Sequence, residues 1–163
     1  MSRPSTSKLR DKNGARSPDI QTLSLAAPVR HALQALAALA ARPETCLDTT
    51  AVARRFGLPA AALSKSFQLL ARRGLLESRR GPGGGYRLAV PPEALTLASV
   101  AEALGAGGER RGRCLLGEKA CRSDARCLLH DAAVAADAGM RKVLERLTLA
   151  DLVADSRAAE ARP

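Results

Sequence analysis

The sequence predicts a mainly α-helical chain with one small β-hairpin, a cysteine-bearing loop and a long C-terminal helix. Three observations carry this. Apolar residues recur at helical spacing in three segments before Gly74, again over 97–104, and again from Leu128 onward. Between Leu75 and Val90 the period changes to extended, on either side of a tip with three consecutive glycines. From Gly105 to Arg126 there is no period, and this stretch carries Cys114 and Cys121, with Cys127 directly after it.

Each element has its own signals. Residues 1–20 are polar, rich in Ser, Pro, Lys and Arg, and predict a disordered basic arm. Leu25, Val29, Leu33, Leu36 and Ala40 mark a first helix, closed by Arg42-Pro43. Asp48 or Thr49 caps a short second helix with Val52 and Phe56 on its buried side, and Gly57 suits the left-handed residue that ends it. Pro59 opens a third helix whose Leu63, Phe67 and Leu70 form the apolar stripe, and Gly74 ends it. Two short helices joined by a tight glycine turn form a helix-turn-helix.

Residues 75–78 and 86–90 then read as two strands around Arg79-Arg80-Gly81-Pro82-Gly83-Gly84-Gly85, a hairpin "wing" stopped by Pro91-Pro92. Thr96 caps a fourth helix with Leu97, Val100 and Leu104 on one side. A last helix runs from about Leu128 to Leu147, with Ala133, Ala136, Met140, Val143, Leu144 and Leu147 in one stripe. Thr148 to Val153 form a capped terminal turn, followed by a polar tail. The expected organisation is therefore a winged helix-turn-helix over 21–92, a loop and dimerisation helix over 93–153, and a tail over 154–163. A second amphipathic stripe, held away from the first core by a loop, predicts burial against another copy in a symmetric dimer.

Composition narrows the partners. The formal charge is +10, and residues 59–90 hold six cations against Glu77 alone, whereas 131–163 hold five basic and six acidic side chains. Such concentration marks a surface that meets phosphates. Aromatics are only 2% of the chain, namely Phe56, Phe67 and Tyr86. Single-stranded nucleic acid is held on aromatic platforms, so duplex DNA is the better match. No apolar run approaches the roughly 20 residues of a membrane helix. The basic, polar start has no apolar core behind it, which is unlike a secretory signal, so a cytoplasmic protein with no membrane partner is expected.

On the third helix, Ser64, Lys65 and Gln68 fall opposite the apolar stripe. The first half of a recognition helix meets base edges in the major groove, and these are groups suited to that contact. Arg79 and Arg80 stand where the wing tip begins, placed for phosphates or a minor groove. The glycine run is no nucleotide-binding P-loop, because no Lys-Ser/Thr follows it and a strand comes next.

Cys114, Cys121, Cys127 and His130 are spaced Cys-x6-Cys-x5-Cys-x2-His, while Cys46 stands apart as a partly buried small residue. Clustered cysteines in a reducing compartment point to metal binding or redox chemistry. Three thiolates and an imidazole hold either an iron–sulfur cluster or, as second choice, zinc. A cluster-free thiol switch is the remaining alternative. Arg113, Arg122 and Arg126 flank the cysteines and favour thiolates. His31 and His130 are the only histidines, and no nucleophile–base or paired-carboxylate constellation marks an enzyme.

The stretch Gly74-Leu75-Leu76-Glu77-Ser78-Arg79-Arg80-Gly81-Pro82-Gly83-Gly84-Gly85-Tyr86-Arg87-Leu88 closely resembles the wing of the IscR/NsrR/RirA (Rrf-two) family of bacterial transcription regulators. The clustered cysteines and the ending Thr148-Leu149-Ala150-Asp151-Leu152 are similar as well, so the resemblance spans roughly Leu25 to Val153. It implies a dimeric winged-helix regulator, here expected to be a repressor of a palindromic operator, whose DNA affinity depends on a 2Fe–2S or 4Fe–4S cluster sensing redox state, nitric oxide or iron–sulfur supply. Carried over by position, Cys114, Cys121 and Cys127 are the thiolate ligands and His130 the fourth. Arg80 matches a wing arginine that enters the groove, and Ser64 a base-reading position. The first cysteine gap is one residue longer than the family pattern. Where one branch uses a carboxylate ligand from the first helix of the other subunit, this chain has Arg30 beside His31, which favours His130, while an offset of one brings His31 into play as the alternative.

Overall fold

The computed structural model describes residues 25–42, 44–81, 83–105 and 128–160. The expected arm over 1–20, the three clustered cysteines with their flanking arginines, Pro43, Pro82 and residues 161–163 lie outside the described residues.

Among the described residues there are six α-helices and one hairpin, and the first five helices and the hairpin follow the order that the periodicity predicts. α1 spans Ala27–Ala40, with Pro28 in its first turn, where a missing N–H is harmless. It buries Val29, Ala32, Leu33, Ala35, Leu36 and Leu39. α2 spans Thr49–Phe56 and is capped by the Asp48 carboxylate, which accepts from the Ala51 N–H at 2.9 Å. Gly57, at φ 64°, ends it in the left-handed conformation. α3 spans Ala60–Arg72; Pro59 is its extended cap residue rather than its first helical one.

The wing pairs β1, Leu76–Arg79, with β2, Gly85–Leu88, in antiparallel register. Each strand is displaced by one residue from the sequence expectation, and β2 ends two residues sooner. Leu47 extends the hairpin from its far side. Its N–H donates to the Tyr86 carbonyl at 2.9 Å, and its carbonyl accepts from the Tyr86 N–H at 3.0 Å. A 3₁₀ turn at Pro92–Ala94 leads to α4, Leu97–Ala103, capped by the Thr96 hydroxyl. α5 runs from Leu128 to Arg146 and α6 from Leu149 to Glu160.

One core joins all of this except α5, which among the described residues reaches it through the half-buried Leu144 at its edge. Phe67, Leu36, Leu39, Leu63, Leu70, Leu95, Val100 and Leu149 are essentially sealed from solvent. Tyr86 meets Phe67 edge to face, with ring centroids 5.3 Å apart, and so anchors the wing to α3. The core therefore crosses residue 92: α4 and the start of α6 close the winged helix-turn-helix.

Two expectations are corrected. The terminal turn and tail form a helix through Glu160, because 149–160 contain no Gly or Pro, are rich in Ala, and dock on α1 through the sealed Leu149 and the half-buried Leu152. Phe56 is exposed rather than buried. As the last residue before the Gly57 turn it faces outward and lies under the Arg55 guanidinium, 5.6 Å from the ring centre.

Candidate nucleic-acid interface

α3 turns Leu63, Ser66, Phe67 and Leu70 inward, and the Ser66 hydroxyl satisfies itself on the Ala62 carbonyl at 3.0 Å. That fixes the opposite face. Lys65 and Gln68 are exposed and Ser64 is half-buried, one helical turn back from Gln68. Arg72 continues this row one turn further and is also exposed, a position that sequence reading passed over although the i+4 step from Gln68 reveals it. The helix start has no side-chain cap, and its first backbone hydrogen bond runs from the Leu63 N–H to the Pro59 carbonyl at 3.0 Å.

Arg79 ends β1 and Arg80 follows it, both exposed beside the tip. The tip closes with a hydrogen bond from the Gly84 N–H to the Gly81 carbonyl at 2.9 Å. Its glycines serve two purposes. Gly81 and Gly83 have positive φ with open space around them, so their backbone is free to approach a partner. A side chain on Gly84 would strike the Arg79 carbonyl, and one on Gly85 the Leu47 carbonyl. These two glycines permit close approach within the protein, a reason that the sequence pattern does not reveal.

On the outer face of the wing Glu77 lies directly across from Arg87. The Arg87 Nε donates to Glu77 Oε2 at 2.8 Å, and Nη2 lies 2.6 Å from the same oxygen. That hydrogen bond, and then the charge of Glu77, hold the Arg87 guanidinium more firmly protonated than usual. An open cleft of about 420 Å³ beside the pair is lined by Glu44, the half-buried Cys46, Ser78, Arg79 and Gly83 as well.

The segment that carries α3 and the basic wing is matched by a family model. The model of the Rrf2 family, described as an iron-dependent transcriptional regulator, covers residues 25–155. The chain belongs to the Rrf2 family. It is 36% identical over 104 residues to NMA1593 of Neisseria meningitidis serogroup A, named as an HTH-type transcriptional regulator, covering 63% of this chain and 68% of that one. To IscR of Aliivibrio salmonicida it is 30% identical over 105 residues, 64% of this chain and 61% of the relative. The fold is that of T. potens IscR (TM-score 0.68, 22% identity, 88% of this chain and 95% of that one). B. subtilis CymR, titled a global cysteine regulator, is similar at TM-score 0.64 and 22% identity, over 82% and 98% of the two chains. Membership places this Rrf2 chain among transcriptional regulators that act through a helix-turn-helix.

Of the expected metal donors, His130 is described. It is exposed in the first turn of α5, three residues after Cys127. Among the described residues no group of three or more His, Cys, Asp or Glu side chains could hold a metal ion. Three soft thiols and one imidazole are nevertheless a donor set that fits an iron–sulfur cluster, and His130 is exposed. His31 is half-buried on α1, and Arg30 is exposed beside it. Leu129 and Val143 lie along one face of α5, each 46% exposed, and Leu147, just past its end, is 38% exposed, while Leu144 turns towards the core. Among the described residues no helix is long and apolar enough to cross a membrane.

Proposed function

We propose that this Rrf2 chain is a homodimeric cytoplasmic repressor that binds a palindromic duplex operator, with its hold on that operator set by an iron–sulfur cluster. The carrying observation is that the outward row of α3 and the arginines of the wing flank one core, locked together by the Phe67–Tyr86 contact. Ser64 and Gln68 read base edges, and Lys65 takes a base or a phosphate. Arg79 binds phosphate, and Arg80 enters the minor groove. The exposed apolar face of α5 meets the same face of a second copy, and a two-fold dimer presents two recognition helices to two half-sites.

Cys114, Cys121 and Cys127 would hold the cluster as thiolates, with His130 as fourth ligand. A bound cluster supplies a centre sensitive to oxidation, nitric oxide and iron supply. Arg113, Arg122 and Arg126 favour the thiolates and offset their charge. The single imidazole of His130 is a more exchangeable ligand than a thiolate, which suits a centre meant to be lost.

The test is anaerobic isolation. Brown protein carrying iron and acid-labile sulfide is expected, with the colour abolished by Ala at Cys114, Cys121 or Cys127 and kept in Cys46→Ala. His130→Ala is expected to give a centre that forms poorly or fades faster in air. Operator affinity should differ between cluster-loaded and chelator-stripped protein. Stoichiometric zinc without iron overturns the cluster reading and leaves a zinc site.

A further inference from the structure

Glu77 is the sole acidic residue of the hairpin segment 74–90, whose cations are Arg79, Arg80 and Arg87. The register sets Glu77 across from Arg87 and Arg79 across from Gly85. Side chains alternate along a strand, so Glu77, Arg79 and Arg87 share the outer face, opposite the face by which Leu76 and Tyr86 meet the core. The Arg87–Glu77 pair is made through Nε at 2.8 Å and Nη2 at 2.6 Å, with both side chains about half exposed. An ion pair so open to water adds little to stability. Its larger effect is on charge. A guanidinium tied to a carboxylate adds almost nothing to the field that draws in phosphates, whereas Arg79, facing a glycine, has no partner across the ladder.

We infer that Glu77 is a positioning residue that withholds Arg87 from DNA phosphates, so that the wing engages duplex through Arg79 and Arg80. The inference rests on the reading of α3 and the wing as a duplex-binding surface. Sequence-independent affinity grows with each phosphate neutralised and with the counterions then released. Glu77 thus trims the attraction to bulk DNA, while the base contacts of α3 are untouched.

The experiment is fluorescence anisotropy of the full chain on a scrambled duplex over a salt series, with Glu77→Gln, Arg87→Gln and the double variant. Gln keeps the shape of Glu77 and removes the charge of Arg87 while leaving a polar side chain, and circular dichroism with a thermal melt checks the fold. Glu77→Gln should bind more tightly at low salt, with a salt slope steeper by about 0.9, so that it loses about 3.5-fold more affinity than the parent between 50 and 200 mM. Arg87→Gln alone should leave the parent slope unchanged, and in the Glu77→Gln background it should restore it. A Glu77→Gln slope equal to the parent's overturns the inference. So does an Arg87→Gln slope that drops by about 1 in the parent background, a result that stands even if Glu77→Gln fails to fold. A parent that binds no duplex removes the underlying reading, and this inference with it; a binding parent with either of those slopes removes this inference alone.

Discussion

Leu47 and Tyr86 exchange both of their backbone hydrogen bonds, at 2.9 and 3.0 Å, which fastens the residue before the α2 cap to the second strand of the wing. The two halves of the proposed DNA-facing surface are thereby joined by main chain as well as by the core. Asp48, next in sequence, caps α2, so a wing that shifts must pull on the helix-turn-helix.

Gly85 makes this junction possible. Its φ is 140°, and any Cβ would strike the Leu47 carbonyl. Gly85→Ala is expected to cost about 1–3 kcal/mol through backbone strain alone, and to weaken operator binding by freeing the wing. Gly83→Ala faces open space and meets only the left-handed penalty, about 1–2 kcal/mol. Urea unfolding of both variants, with anisotropy on DNA, checks the order; equal DNA affinity for Gly85→Ala and the parent contradicts it.

The C-terminal helix is predicted to be part of the DNA-binding core. Leu149 is fully buried, its N–H donates to the Leu95 carbonyl at 2.8 Å, and the Leu97 N–H donates to the Leu147 carbonyl at 2.9 Å. Leu149→Ala should therefore cost about 2–5 kcal/mol, as a sealed core leucine does. Chemical denaturation measures it. A loss below 1 kcal/mol would mean that α6 is dispensable to the core.

How much of this was legible in the sequence depends on the range of the interaction. Caps and periods are local, so Asp48, Gly57, Thr96 and the stripes of α1 and α3 could be read directly. The Leu47–Tyr86 pairing joins residues 39 apart in sequence through a single bridge, which leaves no alternating pattern. α6 carries only a short apolar face, with Leu149 and Leu152 at its start, so its later turns look like a tail. Phe56 sits at helical spacing from Val52, yet the chain turns away at Gly57 before that spacing can bury it. At the candidate site, the α3 row and the two wing arginines follow from periodicity, whereas the Glu77–Arg87 pair needs the register, which the hairpin loop sets. The cysteine donors are legible as chemistry only, since their placement lies outside the described residues.

Asp151 gives a pH test. Its carboxylate accepts from the Thr148 N–H at 2.8 Å and from the Thr148 hydroxyl at 2.7 Å, and that hydroxyl accepts from the Asp151 N–H at 3.3 Å, a reciprocal cap on α6. The backbone hydrogen bond, and then the hydroxyl, hold the Asp151 pKa below the ordinary aspartate value. The native carboxyl binds its proton less readily than the unfolded one. Its contribution is therefore complete above the ordinary value and fades as pH falls through the lower native value. Asp151→Asn should melt below the parent at neutral pH, with the gap closing in acid. A gap that is constant with pH contradicts the assignment.

The central claim is that α3 reads sequence while the wing supplies affinity. It is tested most directly by anisotropy titration against an operator selected by the parent protein from random duplex, and against a scrambled duplex, over a salt series. Ser64→Ala and Gln68→Ala should each cost about 1–3 kcal/mol on the operator and little on the scrambled duplex. Arg79→Ala should weaken binding to both duplexes and lower the salt slope by about 1. Arg80→Ala should weaken binding and also blur preference at the operator flanks. An operator-to-scrambled ratio left intact by both Ser64→Ala and Gln68→Ala would contradict the assignment of α3 as the reader.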